Sequence, residues 1–185
     1  MNWSKLGALV VIVLLFAQCK EEVPLPKPKA MLRLSYPVPP LQTVQANNFS
    51  FEYNANAILE TETTTGASLR YPDMKGVVFL TYQPVRGNVE ALIDNTKRLA
   101  YEHASKAENI VAQPYIDEEH KVYGAMYTII GDAASQSQFY VTDSLAHLVT
   151  GSLYFYAKPN YDSILPAAAY IQQDMRVLME SLRWK

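Results

Sequence analysis

The chain is 185 residues long, 49% hydrophobic and 18% charged, which fits one folded domain and excludes wholesale disorder. A formal net charge of −2 gives no reason to expect nucleic acid as a partner, since phosphate binding needs a concentrated basic surface. Thirteen tyrosines against six phenylalanines suit half-buried strands, with the ring packed and the hydroxyl reaching water or a partner.

In chain order, Lys5 is followed by an almost wholly aliphatic run from Leu6 to Ala17. A transmembrane helix needs about 20 apolar residues. The shorter run predicts the apolar core of a signal peptide over residues 1–18. Cys19, the only cysteine, stands directly behind it, where a bacterial lipoprotein carries its diacylglyceryl group. Leu15-Phe16-Ala17-Gln18-Cys19 resembles a lipobox, with Ala17 in place and Gln18 where a small residue is usual. Two or three acyl chains anchor firmly, since each buried methylene contributes about 0.8 kcal/mol.

Residues 19–40 read as a lipidated cysteine and a proline-rich tether, and 41–185 as a single globular domain. The proline cluster Tyr36-Pro37-Val38-Pro39-Pro40 predicts an irregular approach to that domain. Strands are expected over Phe49–Tyr53, Ala57–Glu62 and Gly76–Tyr82, with a turn at Asn54-Ala55-Asn56. Asn88 is the expected N-cap of an amphipathic helix of about five turns, read from the spacing of Val89, Leu92, Ile93, Thr96, Leu99, Ala100, His103 and Ala107. Four strands follow, Ile110–Tyr115, Lys121–Ile130, Gln138–Thr142 and His147–Ala157, joined by polar turns and hence an antiparallel meander. A last helix is expected behind a cap at Asp162 or Ser163, with Pro166 in its first turn and Ile164, Ala168, Ile171, Met175, Leu178 and Leu182 in one apolar stripe. The expected fold class is α+β, a mostly antiparallel sheet flanked by helices.

The residue types of catalysis are scattered. His103, His120 and His147 have no metal-ligand spacing, and His103 falls on the apolar stripe of its helix. Ser135, Ser137, Ser144, His147, Asp132 and Asp143 supply the types of a hydrolase triad, without a nucleophile-elbow glycine pattern. Glycine-rich phosphate loops, dinucleotide fingerprints and calcium loops do not occur. No enzyme activity, metal or cofactor is therefore expected. Tyr154, Tyr156, Tyr161 and Trp184 gather aromatic groups toward the C-terminus, either as strand packing or as a face for docking a partner.

Several blocks resemble the GldD family of gliding motility lipoproteins of the Bacteroidota: Lys121 to Gly124, Ala133 to Ser144, Thr150 to Pro166 and Glu180 to Lys185, with Tyr101-Glu102-His103 and Leu80 to Val85. The resemblance covers most of residues 31–185. It implies a non-enzymatic cell-envelope protein, anchored at Cys19, that is required for gliding motility and the linked type IX secretion machinery. Its partners are then the membrane and other envelope subunits of that machinery. The block order also looks like the PsbP/Mog1-type α-β-α sandwich. Lys20-Glu21-Glu22 resembles the acidic export tag of surface lipoproteins, which leaves the periplasmic or the surface face of the outer membrane open. Ser144 and Ser163 sit in short patterns similar to O-glycosylation sites, which turn and helix-cap roles explain equally well. Other readings kept open are a carrier of a small apolar ligand between sheet and helix, and a hydrolase using His147 with Asp143 or a nearby serine.

Overall fold

A computed structural model describes residues 36, 38–61, 65–102, 106–156 and 160–185, all within one compact unit spanning Met31–Lys185. Cys19, Lys20-Glu21-Glu22 and His103 lie outside the described residues. Among the described residues, ten strands form two sheets. β3 (Ile58–Thr61), β4 (Gly66–Tyr71), β5 (Gly76–Pro84), β6 (Ala107–Asp117), β7 (Val122–Gly131), β8 (Ser135–Thr142) and β9 (His147–Phe155) make the large one, in the order β3-β4-β5-β9-β8-β7-β6. β1 (Leu41–Gln45), β2 (Phe49–Asn54) and β10 (Arg183–Trp184) make the small one, in the order β1-β2-β10. All pairings are antiparallel. β6 to β9 form the expected meander, because their polar turns are too short for a parallel crossover.

Among the described residues, two α-helices cover opposite faces of the large sheet. α1 is Val89–Tyr101 and α2 is Tyr161–Ser181. Strand residues alternate between the faces, so Phe139 and Val141 join the core under α2 while the intervening Tyr140 joins the patch under α1. The main core gathers Leu69, Val78, Leu80, Phe139, Val149 and Leu153 from the large sheet with Phe49, Phe51 and Tyr53 from β2. α2 closes it with Ala168, Ile171, Met175 and Leu178, followed just past the helix end by Leu182, spaced three and four apart and at most 5% exposed, while Ile164 of the expected stripe is half-buried. Burying each large member contributes about 1.5–3 kcal/mol, which fixes the helix on the sheet. The fold is the expected α+β.

Several local expectations are corrected. β1, β4 and β10 were not foreseen, since Leu41–Gln45 and Gly66–Tyr71 lack clean alternation and β10 is only two residues long. The turn after Asn54 moves the chain from the small sheet to the large one, so β2 and β3 do not pair. α1 stops at Tyr101, and Ala107 begins β6 instead of extending the helix. Leu99, expected on the buried stripe, is exposed, whereas Thr96 and Ala100 are buried. α2 starts at Tyr161 behind Asn160, and Pro166 lies inside it beyond the first turn, where its missing N–H interrupts one rung of the ladder. Ser163 donates to the Asn160 carbonyl at 2.9 Å instead of capping the helix.

One polar cluster is buried in this core. Asn54 donates to Asp174 at 2.6 Å and to the Tyr170 hydroxyl at 3.0 Å. The Tyr71 hydroxyl, close enough to feel the Asp174 charge, has no hydrogen bond of ordinary geometry. Burial pushes the Asp174 carboxyl up, and the Asn54 amide bond and the Tyr71 hydroxyl nearby offset only part of that shift. The folded state therefore holds this proton more tightly than the unfolded chain, and stability falls as pH rises from the ordinary carboxylate range through the raised value. Asp174→Asn keeps the shape and lets its amide donate to the Tyr71 hydroxyl. The variant is expected to melt no lower than the parent at pH 7, with the parent gaining on it toward pH 4. Calorimetry across that range checks the sign, and a parent that outlasts the variant more at pH 7 than at pH 4 contradicts it.

Candidate docking site at one end of the sheet

Two tight turns and the C-terminus meet at one end of the large sheet. In the β6–β7 turn, Asp117 Oδ1 accepts the His120 N–H at 3.0 Å and Oδ2 pairs with His120 Nδ1 at 2.8 Å. The turn closes at Lys121, whose φ is +54°. In the β8–β9 turn, Asp143 Oδ1 accepts the N–H groups of Leu145, Ala146 and His147 at 3.0, 2.8 and 2.8 Å. Thr142 Oγ1 donates to the His147 carbonyl at 2.6 Å and accepts the Ser144 N–H at 3.0 Å. The aspartates at these strand ends thus fold back on their own turns, as short acidic side chains commonly do.

β10 brings Trp184 across both turns. The indole stacks on His147 with centroids 5.4 Å apart and planes at 14°, and Nε1 donates to the Lys121 carbonyl at 3.0 Å. His147 Nδ1 is hydrogen-bonded to the Tyr82 hydroxyl at 2.9 Å. Phe49 closes the stack against Tyr82 at 6.0 Å and Trp184 at 6.3 Å. Arg183 donates to the Glu180 and Leu182 carbonyls and stands 4.0 Å from Asp117. A hollow of about 320 Å³ opens here, lined by Glu119, His120, Lys121, Asp143, Arg183 and Trp184. Leu145 and Ile116, 76% and 67% exposed, flank this end.

The local charges are held in place. Hydrogen bonds from the His120 backbone and side chain keep Asp117 below the usual carboxylate range. At Asp143, burial pushes upward, but the three backbone N–H groups outweigh it and the carboxyl also sits low. Burial and the nearby Asp143 charge push the Tyr82 phenol up. At neutral pH the hollow presents fixed carboxylates, a guanidinium, an ammonium and an aromatic wall, a surface suited to charged and aromatic groups of another protein.

The residues of the hydrolase reading are not assembled here. His147 gives its ring to Tyr82 and Trp184, and Asp143 Oδ1 is taken up by backbone donors. Ser135 and Ser137 lie toward the far end of β8, where Ser137 donates to the Tyr127 carbonyl and accepts from Gln172. Asp132 accepts the Tyr161 N–H at 2.8 Å, also at the far end. Among the described residues, no group of three or more His, Cys, Asp or Glu could hold a metal ion. No helix among them is long and apolar enough to cross a membrane.

The four singled-out aromatics separate into two places. Trp184 stands near His147 at the start of β9, whereas Tyr154 and Tyr156 stand at its end, about 25 Å away at strand rise. Tyr154 packs edge-on against Phe79 at 6.0 Å, and Tyr156 is 67% exposed. Half-buried Tyr161 opens α2 near them, beside Asp132. Ser144 is exposed in its turn with a φ of +67°, and Ser163 is exposed in the first turn of α2. Sequence reasoning missed Tyr82, which lies 65 residues from His147. The Asp117–His120 pair was legible only as a polar turn.

The sequence model for gliding motility lipoprotein GldD matches residues 21–184. The chain belongs to the GldD family. No curated protein matches the sequence. Membership makes this a lipoprotein-family chain associated with the cell envelope and implicated in gliding motility. The match takes in both sheets, both helices and the Trp184 end.

Proposed function

We propose that the protein is a lipid-anchored, non-catalytic subunit of the gliding motility and type IX secretion machinery, held in the outer membrane by acyl chains on Cys19. The observation that carries this reading is the GldD match over residues 21–184, which opens two residues after the only cysteine. Residues 1–18 act as the signal, 19–40 as the tether and 41–185 as the working domain. Lys20-Glu21-Glu22 then decides between the periplasmic and the surface leaflet. Docking uses the end of the sheet built on Trp184, Arg183 and Leu145, since tryptophan and arginine dominate interface anchors and paired charges select the partner. Confinement to the membrane raises effective concentration, so the contact itself can be modest. The space a carried apolar ligand would need between sheet and α2 is occupied by Phe139, Leu153, Ile171 and Met175, each at most 1% exposed, which favours docking over carriage.

The test places a photo-crosslinking residue at Leu145 or Glu119 in living cells, on the native chain and on Cys19→Ala. Adducts with motility or secretion subunits are expected from the native chain alone. Cys19→Ala is expected to keep its melting temperature and to lose gliding and secretion completely. A soluble Cys19→Ala protein that restored full motility would overturn the anchoring. Adducts from other surfaces but none from this end would overturn the placement of the docking site.

A further inference from the structure

The end of the domain opposite Trp184 has its own character, and the strand registers define it. Where the chain enters the domain, the Tyr36 ring packs on Tyr170 of α2 at 4.7 Å, and the Pro40 carbonyl accepts the Ala55 N–H at 2.9 Å. Leu41 then pairs opposite Asn54, whose amide reaches Tyr170 and Asp174. Tyr71, beside Asp174, pairs opposite Gly76 at the foot of β5, and Gly76 pairs opposite Phe155 at the end of β9. The Tyr156 N–H donates to the Lys75 carbonyl at 2.8 Å, and Ile58 pairs with Arg70. These contacts place Leu41, Ile58, Arg70, Lys75 and Tyr156 along one rim, with Val38 two residues ahead of Pro40 where the tether arrives.

Exposed apolar side chains gather on this rim. Val38 is 95% exposed, Tyr156 67%, and Leu41 and Ile58 46% each, four of the nine exposed large hydrophobic side chains among the described residues. Scattered single exposures are ordinary, but a gathering on one rim marks a surface that meets something apolar. Beside it lies an open hollow of about 430 Å³ lined by Arg70, Tyr71, Pro72, Lys75, Gly76 and Tyr156. Arg70 pairs with Glu60, whereas Lys75 makes no ion pair with a described residue. Exposed aliphatics, a tyrosine with its polar tip and an unpaired ammonium are the groups that settle at a lipid–water interface, the ammonium reaching headgroup phosphate on its apolar stem.

We infer that this rim is the membrane-facing surface of the domain, with Val38, Leu41, Ile58 and Tyr156 seated in the interfacial layer and Lys75 against lipid phosphate. The inference rests on the lipid-anchor reading and adds an orientation to it. From Cys19 to Tyr36 the chain can extend at most about 60 Å, so the tether limits distance without fixing direction. Contact at the rim fixes the direction. It turns the Trp184 end away from the bilayer, toward soluble portions of neighbouring proteins.

Because the sulfur of the only cysteine is taken up by the anchor, one added cysteine can be labelled alone. Full-length lipidated protein carrying Val38→Cys, Ile58→Cys, Tyr156→Cys or, as the distal control, Leu145→Cys is labelled with an environment-sensitive fluorophore. Each variant is checked for an unchanged melting profile, then bound to vesicles of phosphatidylethanolamine and phosphatidylglycerol. The three rim probes are expected to shift to the blue and to be quenched by brominated lipid several-fold more than the probe at Leu145. Protein that floats with vesicles while rim and distal probes are equally water-like overturns the orientation and leaves the anchor standing. Protein that fails to float overturns the anchor, and the rim with it.

Discussion

Gly151→Ala is expected to destabilise the protein by about 3 kcal/mol, the upper end of what overpacking a core usually costs. Gly151 stands opposite Phe139 in the β8–β9 register, and the phenylalanine ring lies over the bare backbone. A Cβ at this glycine would meet Phe139 Cε1 at 2.1 Å and Cζ at 2.6 Å. Phe139 is fully buried among core residues, so the ring has no nearby space to take. Aromatic rings covering glycines on neighbouring strands are a known device for building curved sheets, and the pair here sits at the centre of the sheet. For a chain of this size the loss lowers the melting temperature by about 6–12 °C. The mechanism has a specific signature. Shrinking the ring with Phe139→Leu should recover more than about 1 kcal/mol in the double variant relative to the sum of the singles. Urea denaturation of the four proteins measures this, and additivity within about 0.5 kcal/mol would reject the clash as the cause.

Trp184→Ala is expected to cost about 2–3 kcal/mol, below the range for a fully buried tryptophan because the ring is half-buried. The loss has three parts: the stack on His147, the edge contact with Phe49 and the indole N–H bond to the Lys121 carbonyl. Together these tie β10 and the small sheet to the turns of the large one. Trp184→Phe keeps a ring in place and gives up the N–H bond, for a loss of about 0.5–1.5 kcal/mol. From Cys19 onward Trp184 is the single tryptophan, so its fluorescence follows this one junction during denaturation. Alanine and phenylalanine variants of equal stability would mean that ring packing contributes nothing here. The same variant also probes function: the partner adduct at Leu145 should be lost in Trp184→Ala at temperatures where far-ultraviolet circular dichroism still reports a folded domain.

The two ends of the domain divide the proposed work. At one end, exposed aliphatics and Tyr156 adjoin the point where the tether arrives. At the other, Asp117, Asp143, Arg183 and Trp184 are fixed by turns and stacking. A rigid antiparallel sheet between them keeps the two surfaces apart, so that membrane contact and partner contact need not compete.

Much of this architecture was legible before folding was considered. The three-four spacing from Ile164 to Leu182 announced a helix with one buried face; Ala168, Ile171, Met175 and Leu178 are buried along it, whereas Ile164 is half-buried and the buried Leu182 lies just past the helix end. Polar turns at Asp117–His120 and Asp143-Ser144 announced the meander, because such turns leave room only for antiparallel neighbours. Both are local signals: a side chain's periodicity reports which face of its own element is buried. Resemblance in long blocks, from Lys121 to Gly124 and from Thr150 to Pro166, pointed to the family that the match over residues 21–184 establishes.

By itself, then, the sequence determined the α+β class, the meander, the buried stripe of α2, the family and the place of Cys19 directly behind an apolar run. Only the tertiary structure decided that β2 and β3 belong to different sheets, that two residues at the C-terminus form a strand, and that Trp184 and Tyr154 stand at opposite ends. It alone joined Tyr82 to His147 across 65 residues and Asn54 to Asp174 across 120. The reason is physical. Alternation and helical spacing are imposed by the nearest few residues, whereas a two-residue strand, a stacked indole or a shared rim gains its free energy from partners far along the chain, and no local pattern encodes which partners those are.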